Sequence, residues 1–465
     1  MKYYLAIDIG ASSGRHILCH MEDGRMVLEE IHRFPNGMVP INGHKCWEAD
    51  RLFDEIVAGM KKAADLGKIP ESVGIDTWAV DYVLLDSEDK RIGEAIGYRD
   101  SRTDGMDEEV YKIIPEDELY GRAGIQKQMF NTIYQLMADK VAADGRLDEA
   151  ETMLMVPDYF HYLLSGVKAT EYTNATTGQL VSPDTKDWDW ELIDRLGYPR
   201  KIFQKIVTPG TDLGPLTDEI AAKVGYQCHV VVPATHDTGS AVMAVPTNAE
   251  DTLYISSGTW SLMGTEIKEA ICTPDSKKAN LTNEGGYDYR FRYLKNIMGL
   301  WMIQSVKKEI AQDKGFGEIC ELASQQTIPS IVPANDDRFL APENMTEEVK
   351  KCCAESGQPV PETLGEVASV IYNSLAKCYG DTIDEIETMT GKKFDRVNIV
   401  GGGANAGYLN ELTAKATKRP VYAGPTEGTA IGNLMAQMIT AGEFASLQEA
   451  RTCVFNSFEI KTYQP

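Results

Sequence analysis

Short apolar runs separated by Gly- and Ser-rich breaks mark the first part of the chain. Residues 2–9 are rich in β-branched and aromatic side chains, and after such a break the apolar pattern resumes in residues 15–20. A strand, a tight turn and a second strand are therefore predicted. Two later apolar runs, residues 72–76 and 82–86, predict further strands on either side of a short polar segment.

The opening pattern returns in the second half of the chain. Residues 252–261 form an apolar run followed by a turn with Gly and Ser, as residues 5–13 do. Two related halves are one interpretation of this similarity. Chance similarity is the alternative, because strand–turn–strand segments are common.

Amphipathic stretches and strands alternate toward the end of the chain. In residues 362–390, apolar side chains recur at three- and four-residue spacing, and Gly391 follows where a helix commonly ends. A strand at 396–400, a glycine-rich turn, a helix, a short strand at 420–423 and a helix from residue 426 are predicted next. This alternation indicates an α/β fold.

Composition and charge limit the possible partners. With 465 residues, 43% of them hydrophobic and 25% charged, the chain can bury a large core and is long enough for about two or three domains. Its 70 acidic and 46 basic side chains give a net charge of −24, which disfavours nucleic acid and anionic membranes as partners. The same charge would repel a free nucleotide. If ATP is a substrate, its site must therefore provide backbone N–H groups, a few Arg or Lys side chains and a metal ion.

Cysteine usage indicates a reducing compartment. The nine cysteines are scattered from Cys19 to Cys453, and none forms a C-x-x-C pair, so reduced thiols are expected rather than disulfides or a zinc site. Cys352 and Cys353 are adjacent and are expected to be exposed and inert. No export signal opens the chain, and no uncharged apolar run reaches the roughly 18 residues of a membrane helix. The chain is therefore expected to be soluble and cytoplasmic.

The segment Asp8–Arg15 collects groups that suit a triphosphate. Gly10 and Gly14 let the backbone approach a phosphate closely, and the hydroxyls and amides between them can donate to its oxygens. Arg15 adds positive charge, and Asp8 can hold Mg²⁺ through water. A hairpin whose Ser and Gly only make the turn is the alternative.

Residues 252–261 repeat this turn without the aspartate. The repeated turn could hold the other side of the same phosphates and leave metal binding to the first turn. An ordinary hairpin is again the alternative, and only the pairing of the two turns favours a functional interpretation.

A third motif follows an apolar strand predicted at residues 230–233. His236, Asp237 and Thr238 lie where the loop enters a helix. Asp237 could cap the helix N-terminus. It could instead accept a proton as a sugar hydroxyl attacks phosphorus, with His236 and Thr238 orienting the sugar.

Gly401, Gly403 and Ala406 follow a predicted strand with the spacing of a permissive dinucleotide fingerprint. The next predicted strand ends at residues 422–424 without the acidic residue that would bind a ribose diol, so a Rossmann dehydrogenase is rejected. The glycines could still bring the backbone against an adenine or a ribose. The sequence has neither a P-loop motif nor the H-E-x-x-H motif of a metalloprotease.

Trp78 and Asp81 combine an aromatic face with a carboxylate. This combination suits a polyhydroxylated ligand, because an indole covers C–H faces while a carboxylate accepts from hydroxyls. Trp78 as an ordinary core residue is the alternative.

These segments together resemble the FGGY carbohydrate kinases of the actin-like ATPase superfamily. The resemblance spans nearly the whole chain, and its motifs include, in order, DIGASSGR, GIDTWAVDYVLLD, YRDSRT, EYTNATTGQL, THDTGSA, YISSGTWSLMG, NEGG and NIVGGGANAGYLN. It implies an α/β fold of two actin-like (ribonuclease H-like) ATPase domains with a cleft between them. Residues 1–245 would bind the sugar and carry the phosphate turn, and residues 246–465 would bind the nucleotide.

The resemblance also assigns roles to individual residues. The residues it implies in nucleotide binding are Ala11, Ser12, Ser13, Gly14, Arg15, Thr259, Asn296, Gln304 and Gly402. His236, Asp237 and Thr238 fall at the sugar and general-base positions, in agreement with the interpretation from the residues alone. Ala79 falls at a sugar contact where the family pattern usually has Gly, so one additional methyl group bears on which ketose is preferred.

The expected reaction is phosphorylation of a ketose such as L-rhamnulose by Mg-ATP. Asp237 would accept the proton of the O1 hydroxyl as that oxygen attacks the γ-phosphoryl group. A kinase of the same family with another specificity, such as one for fuculose or xylulose, is an alternative. An actin-like ATPase that binds a protein in place of a sugar is another, although it would have no use for a polar sugar pocket. The sequence makes no prediction of the oligomeric state.

Overall fold

The structure, a computed structural model, describes residues 1–340 and 342–465. The chain divides into two compact units. The first unit comprises Met1–Ala244, Glu266–Tyr293 and Thr429–Cys453, and the second comprises Val245–Thr265, Leu294–Gly428 and Val454–Pro465. The main segment of the first unit ends beside the predicted domain boundary at residue 245, and two later segments return to this unit. The sequence domains 1–245 and 246–465 stay a prediction.

Strands lie in both units. In chain order they are β1 (Tyr3–Ile9), β2 (Ser13–Glu22), β3 (Arg25–Pro35), β4 (Val39–Ile41), β5 (His44–Trp47), β6 (Pro70–Thr77), β7 (Tyr82–Leu85), β8 (Ala95–Ile96), β9 (Thr152–Met155), β10 (Thr170–Glu171), β11 (Ile206–Val207), β12 (Asp212–Pro215), β13 (His229–Val231), β14 (Thr252–Ser257), β15 (Ser261–Ile267), β16 (Thr282–Gly285), β17 (Phe291–Ile297), β18 (Arg396–Val400), β19 (Val421–Ala423) and β20 (Lys461–Tyr463).

Helices connect and flank these strands. In chain order they are α1 (Ala49–Asp65), α2 (Met106–Tyr111), α3 (Glu116–Ala123), α4 (Thr132–Ala142), α5 (Arg146–Glu149), α6 (Val156–Ser165), α7 (Tyr172–Ala175), α8 (Trp190–Leu196), α9 (Asp218–Val224), α10 (Asp237–Met243), α11 (Pro274–Lys278), α12 (Trp301–Ile310), α13 (Phe316–Ser324), α14 (Met345–Glu355), α15 (Leu364–Thr390), α16 (Gly407–Thr417), α17 (Gly428–Thr440) and α18 (Leu447–Ser457).

The main sheet of the first unit has the strand order β12-β13-β6-β1-β2-β3. Strands β1, β2 and β3 form an antiparallel meander. Strand β6 pairs parallel with β1, and β13 pairs parallel with β6. Alternate residues of β1 point to opposite faces, yet nearly all are buried, because helices cover the sheet. The core beside it includes Leu5, Ile7, Leu52, Ile56, Ile75, Phe160 and Val230.

A second sheet, most of which lies in the second unit, repeats this order in the run β20-β19-β18-β14-β15-β17. Residues 291–293 at the start of β17 belong to the first unit. Strand β14 pairs antiparallel with β15 and parallel with β18, as β1 does with β2 and β6. Strand β19 is parallel to β18, and β20 closes the edge antiparallel to β19. The two related halves inferred from the repeated turn are therefore confirmed at the level of topology.

Most local predictions agree with the structure. At the start of helix α15, the N-cap residue Thr363 and Glu366 form a capping box. Gly391 caps the other end with φ 67°, in the left-handed region that a glycine enters at little cost. The strand predicted at 396–400 is β18. The helix predicted from residue 426 begins at Gly428 instead.

Cys352 and Cys353 were expected to be exposed, but both are buried because they lie on the inner face of the amphipathic helix α14. Across residues 1–340 and 342–465, no helix combines the length and the apolar character needed to cross a bilayer.

Candidate active site

Asp237 is the first residue of α10, directly after the loop that leaves β13. His236 occupies the N-cap position, so Asp237 is not the cap that was considered as its alternative role. One carboxylate oxygen accepts hydrogen bonds from the Thr238 backbone N–H at 2.6 Å and from its hydroxyl at 3.2 Å. The side chain remains 35% exposed, so it is open to a ligand.

The surroundings make Asp237 a better base than a carboxylate in water. Partial removal from water raises the pKa of its carboxyl, and the negative charge of Asp8 acts in the same direction. The hydrogen bonds from Thr238 lower this pKa, and a positive charge on His236 would lower it further. The net pKa shift is upward, which is the direction a general base requires.

His236 contacts a buried ion pair that the sequence did not reveal. Its Nδ1 lies 3.0 Å from a guanidinium nitrogen of Arg292 and 3.3 Å from Glu284 Oε2. Its Nε2 lies 3.5 Å from Asp237 Oδ1. Glu284 and Arg292 pair at 3.1 Å, and Arg292 is fully buried. Both residues lie in the segment Glu266–Tyr293, which belongs to the first unit.

A second buried carboxylate fastens the loop before Asp237. Glu171 accepts hydrogen bonds from the backbone N–H and the hydroxyl of Thr235, at 3.0 Å and 2.9 Å. It also accepts from the backbone N–H of Thr173 at 2.8 Å, as the N-cap of α7. The Thr173 hydroxyl in turn accepts from the His236 backbone N–H at 3.3 Å. The backbone position of His236 and Asp237 therefore depends on Glu171.

Asp8 and Asp76 are direct partners on the parallel strands β1 and β6. A guanidinium nitrogen of Arg15 donates to Asp8 at 2.7 Å. Asp76 is fully buried and accepts from Asn433 at 2.6 Å through one oxygen, whereas its other oxygen has no hydrogen-bond partner in the part of the chain that the structure describes. Burial and the nearby charge of Asp8 raise the pKa of Asp76 well above its ordinary value.

The turn after β1 is tight and partly open to solvent. The Gly10 backbone N–H donates to the Ser13 carbonyl at 2.9 Å. Ala11 and Ser12 are exposed, so their amides can approach a ligand. Gly14 is buried, and a Cβ there would lie 2.1 Å from the Phe34 ring, so this glycine is required for packing.

The predicted aromatic residue Trp78 and the predicted carboxylate Asp81 are in direct contact. The indoles of Trp47 and Trp78 pack with ring centroids 3.9 Å apart, and both donate to Asp81 Oδ2, at 2.7 Å and 2.9 Å. Asp81 also accepts from the Tyr98 backbone at 3.0 Å and from Gln135 at 2.9 Å. Asp81 is 1% exposed. Its geometry favours support of the two indoles over direct contact with a ligand.

Between Trp78 and Asp81 the backbone makes an unusual turn. Val80 has φ 69°, which is rare for a β-branched residue, and the Asp81 N–H donates to the Ala79 carbonyl at 3.0 Å. The Val80 carbonyl accepts from Thr132 at 2.8 Å and from Gln135 at 3.2 Å. These buried hydrogen bonds hold Ala79, which is half-buried, at the edge of the aromatic group.

Two predicted nucleotide residues of the second unit, Thr259 and Gln304, lie close together. The Thr259 hydroxyl lies 3.5 Å from Gln304, and the Thr259 carbonyl accepts from the Trp301 backbone at 2.9 Å. The turn after β14 therefore packs on the start of α12. Asn296 is half-buried in β17.

The glycine-rich segment Gly401–Gly403 reaches the same strand end. Gly401 has φ 86°, and a Cβ on Gly403 would lie 1.9 Å from Ser257 Oγ, at the end of β14. Gly402 is exposed, with no atom within 4 Å of a Cβ built on it. This backbone is therefore open for close approach by a ligand.

The two units share one sheet topology. Each carries a turn with Gly and Ser after its first strand, and one carries an open aspartate at a helix start. Residues 3–244 match the N-terminal domain and residues 253–441 the C-terminal domain of the FGGY family of carbohydrate kinases. The chain belongs to this family.

Curated relatives match over almost the whole chain. A rhamnulokinase from Halalkalibacterium halodurans is 50% identical over 463 residues, covering 100% of this chain and 99% of the relative. A rhamnulokinase from Bacillus subtilis is 43% identical, covering 99% of this chain and 95% of the relative.

Solved structures share the fold at low sequence identity. A xylulose kinase from Lactobacillus acidophilus superposes with a TM-score of 0.82 at 16% identity, over 100% of this chain and 94% of that one. A Plasmodium falciparum glycerol kinase with ADP gives 0.77 at 12% identity, over 99% and 94%. The predicted fold class is confirmed, and the chain is a sugar kinase with ATP as the expected phosphoryl donor.

Proposed function

We propose that this chain phosphorylates L-rhamnulose on O1 with ATP. The proposal is carried by the full-length similarity to relatives named rhamnulokinase, at 41–50% identity. The matched length of these relatives spans both family domains. We assign this reaction to the cytoplasm, as predicted from the cysteines.

In this proposal Asp237 is the general base. Its carboxylate is 35% exposed and its pKa is raised, which suits acceptance of a proton from a sugar hydroxyl. The Thr238 N–H holds one oxygen at 2.6 Å, which leaves the other free for the substrate. As O1 loses its proton to Asp237, it attacks the γ-phosphorus in line and ADP leaves.

We assign sugar recognition to residues around this base. Trp78 offers an indole to the C–H face of the sugar, Ala79 limits the space beside it, and His236 and Thr238 flank the hydroxyls. Asp81 was predicted as a sugar contact. Because its oxygens already accept four hydrogen bonds, we assign it to positioning Trp78.

Phosphate and nucleotide binding is assigned to the turns of both units. In the first unit the donors are the backbone and side chains of Ala11, Ser12, Ser13, Gly14 and Arg15. In the second unit the contacts are Thr259, Asn296, Gln304 and Gly402. The open backbone at Ala11, Ser12 and Gly402 supports this assignment, since amides donate to phosphate oxygens at close range.

Mg²⁺ is proposed as the metal of the nucleotide. Among the described residues, no group of three or more His, Cys, Asp or Glu is arranged to hold a metal ion by itself. Asp8, with the unpaired buried oxygen of Asp76 next to it, fits an ion that keeps most of its water and its phosphate ligands. When bound, Mg²⁺ would offset phosphate charge, with Asp8 as its contact to the protein.

A substrate panel tests the proposal. The chain is assayed with ATP and L-rhamnulose, L-fuculose, D-xylulose, glycerol or D-gluconate, and ADP release is coupled to NADH oxidation. We expect L-rhamnulose to give the highest kcat/KM, and ³¹P NMR of the product to show a phosphate ester on C1. Faster turnover of another sugar would contradict the specificity. Slow ATP hydrolysis that no sugar accelerates would contradict a kinase and favour a switch ATPase.

A further inference from the structure

The buried pair Glu284–Arg292 lies beside the proposed base but reaches it only through His236. Glu284 is in β16 and Arg292 in β17, two strands joined by a short connection. Glu284 is 6% exposed and Arg292 is 0% exposed. Keeping two charges out of water costs several kcal/mol per ion (order of magnitude), so a pair at this position needs a reason beyond stability.

The donors of Arg292 determine the state of His236. A guanidinium only donates and stays protonated in proteins. Its Nε donates to the Gly285 carbonyl at 2.8 Å, and its Nη2 lies 3.1 Å from Glu284 and 3.0 Å from His236 Nδ1. Of the two neighbours of His236 Nδ1, the guanidinium of Arg292 lies closer than the carboxylate of Glu284, at 3.0 Å against 3.3 Å, which favours an Nδ1 lone pair that accepts from Arg292. The imidazole proton then lies on Nε2, which faces Asp237 Oδ1 at 3.5 Å.

The opposite arrangement would be harmful to the base. Without Arg292, Nδ1 could carry a proton and donate it to Glu284, which lies 3.3 Å away. A neutral ring would then turn the Nε2 lone pair toward the carboxylate of Asp237. A doubly protonated ring would instead place a full positive charge beside that carboxylate and make it a weaker base.

We infer that Arg292, held by Glu284, is a positioning residue that keeps His236 neutral with its proton on Nε2, and that this proton orients Asp237. The inference rests on the proposed role of Asp237 as the base. The charged groups that face the His236 ring are Asp237 on its own element and Glu284 and Arg292 on the two strands, while Asp8 acts on Asp237 from β1.

Arg292→Met removes the guanidinium and keeps most of the side-chain volume. Arg451→Met is the matched control in the same unit, because Arg451 is also buried, donates to two backbone carbonyls and pairs with Glu266 at 2.7 Å without contacting Asp237 or His236. Thermal unfolding of both variants measures the loss of stability that follows from removing any buried arginine. Arg292→Lys tests whether a smaller cation restores part of the effect.

The kinetic readout is kcat and KM as a function of pH with the substrate found in the panel. For Arg292→Met we expect kcat to fall at least about 10-fold while KM for ATP stays within about 2-fold. The defect should deepen as the pH is lowered, because the ring would have lost the neighbouring cation that opposes its protonation. Arg451→Met should lose stability without this pH dependence. Parallel pH profiles for Arg292→Met and Arg451→Met would overturn the inference.

The state of His236 can be read without any sugar. Long-range ¹H–¹⁵N spectra of protein with ¹⁵N-labelled histidine resolve ring tautomers, and His236→Gln identifies its signals among the seven histidines. We expect a neutral Nε2–H ring in the unaltered chain and a protonated or Nδ1–H ring in Arg292→Met. An Nδ1–H or doubly protonated ring at pH 7 in the unaltered chain would overturn the inference. Failure of every sugar in the panel would overturn the proposed function, and the spectra would still decide the state of His236.

Discussion

Gly432 of α17 lies directly against the backbone of Ser240 in α10. A Cβ built on Gly432 would be 1.8 Å from the Ser240 carbonyl oxygen, far inside van der Waals contact. The two helices approach this closely only because residue 432 has no side chain. Since α10 begins with Asp237, this contact links the position of the proposed base to a residue almost 200 positions later in the chain.

Gly432→Ala should therefore damage both stability and activity. The added methyl group must push α10 and α17 apart, and overpacking of this kind costs about 1–3 kcal/mol. We expect a lower midpoint of chemical unfolding and a reduced kcat, because the start of α10 moves with the helix. Gly121→Ala in α3 is the control, since nothing lies within 4 Å of a Cβ there and alanine favours a helix. Equal stability of the two variants would contradict the contact.

Asp237→Asn should abolish phosphoryl transfer and largely preserve ATP binding. An amide keeps the size of the carboxylate but cannot accept the proton, and general bases contribute about 10²- to 10⁴-fold to rate. Coupled ADP release measures turnover, and calorimetry measures ATP affinity. Substantial remaining turnover in a folded Asp237→Asn protein would remove this residue from the role of base.

Asp81 should give the stability of the chain a defined pH dependence. Burial raises the pKa of its carboxyl to about 6, although the hydrogen bonds from Trp47, Gln135 and Trp78 lower this pKa. The folded state thus holds the proton more tightly than the unfolded chain, whose Asp pKa is about 3.9. The contribution of this carboxyl to the free energy of unfolding is then full below about pH 4 and is lost as the pH rises to 6.

Asp81→Asn isolates this contribution because an amide does not titrate. We expect the difference in unfolding free energy, unaltered chain minus variant, to decrease by about 2 kcal/mol between pH 4.5 and 7, at about 1.4 kcal/mol per pKa unit. Urea denaturation at several pH values measures it. A difference that is constant or increases with pH would show that the carboxyl is held ionised by its donors.

Alanine variants of two neighbouring glycines in the second unit should distinguish a packing role from a role in nucleotide binding. A Cβ on Gly403 would lie 1.9 Å from Ser257 Oγ, whereas one on Gly402 would meet nothing within 4 Å. Gly403→Ala should therefore lower the melting temperature. Gly402→Ala should keep the melting temperature and raise KM for ATP by up to about 10-fold, equivalent to ~1.4 kcal/mol. A destabilised Gly402→Ala protein with unchanged KM would contradict this assignment.

The sequence alone determined the local elements and the residues that depend on them. Residues 2–20 and 252–261 show strand–turn–strand patterns, and α15 shows its periodicity and its terminal Gly391, because these signals lie within a few residues of one another. The position of Asp237 at the start of a helix could be predicted for the same reason. The resemblance of ordered motifs then identified the family, which the comparisons confirmed.

The tertiary structure alone decided which distant residues surround that aspartate. Arg292 contacts His236 across 56 positions, Glu171 holds Thr235 across 64, and Asn433 donates to Asp76 across 357. No periodicity or spacing encodes such pairs, since they arise when strands and helices pack. Asp81 also shows that local sequence does not reveal long-range packing. Its residue type suggested a ligand contact, whereas in the folded chain it is buried beneath two indoles and its oxygens accept hydrogen bonds from protein groups. Local patterns specify elements, whereas long-range packing specifies which polar groups meet and which remain open to a substrate.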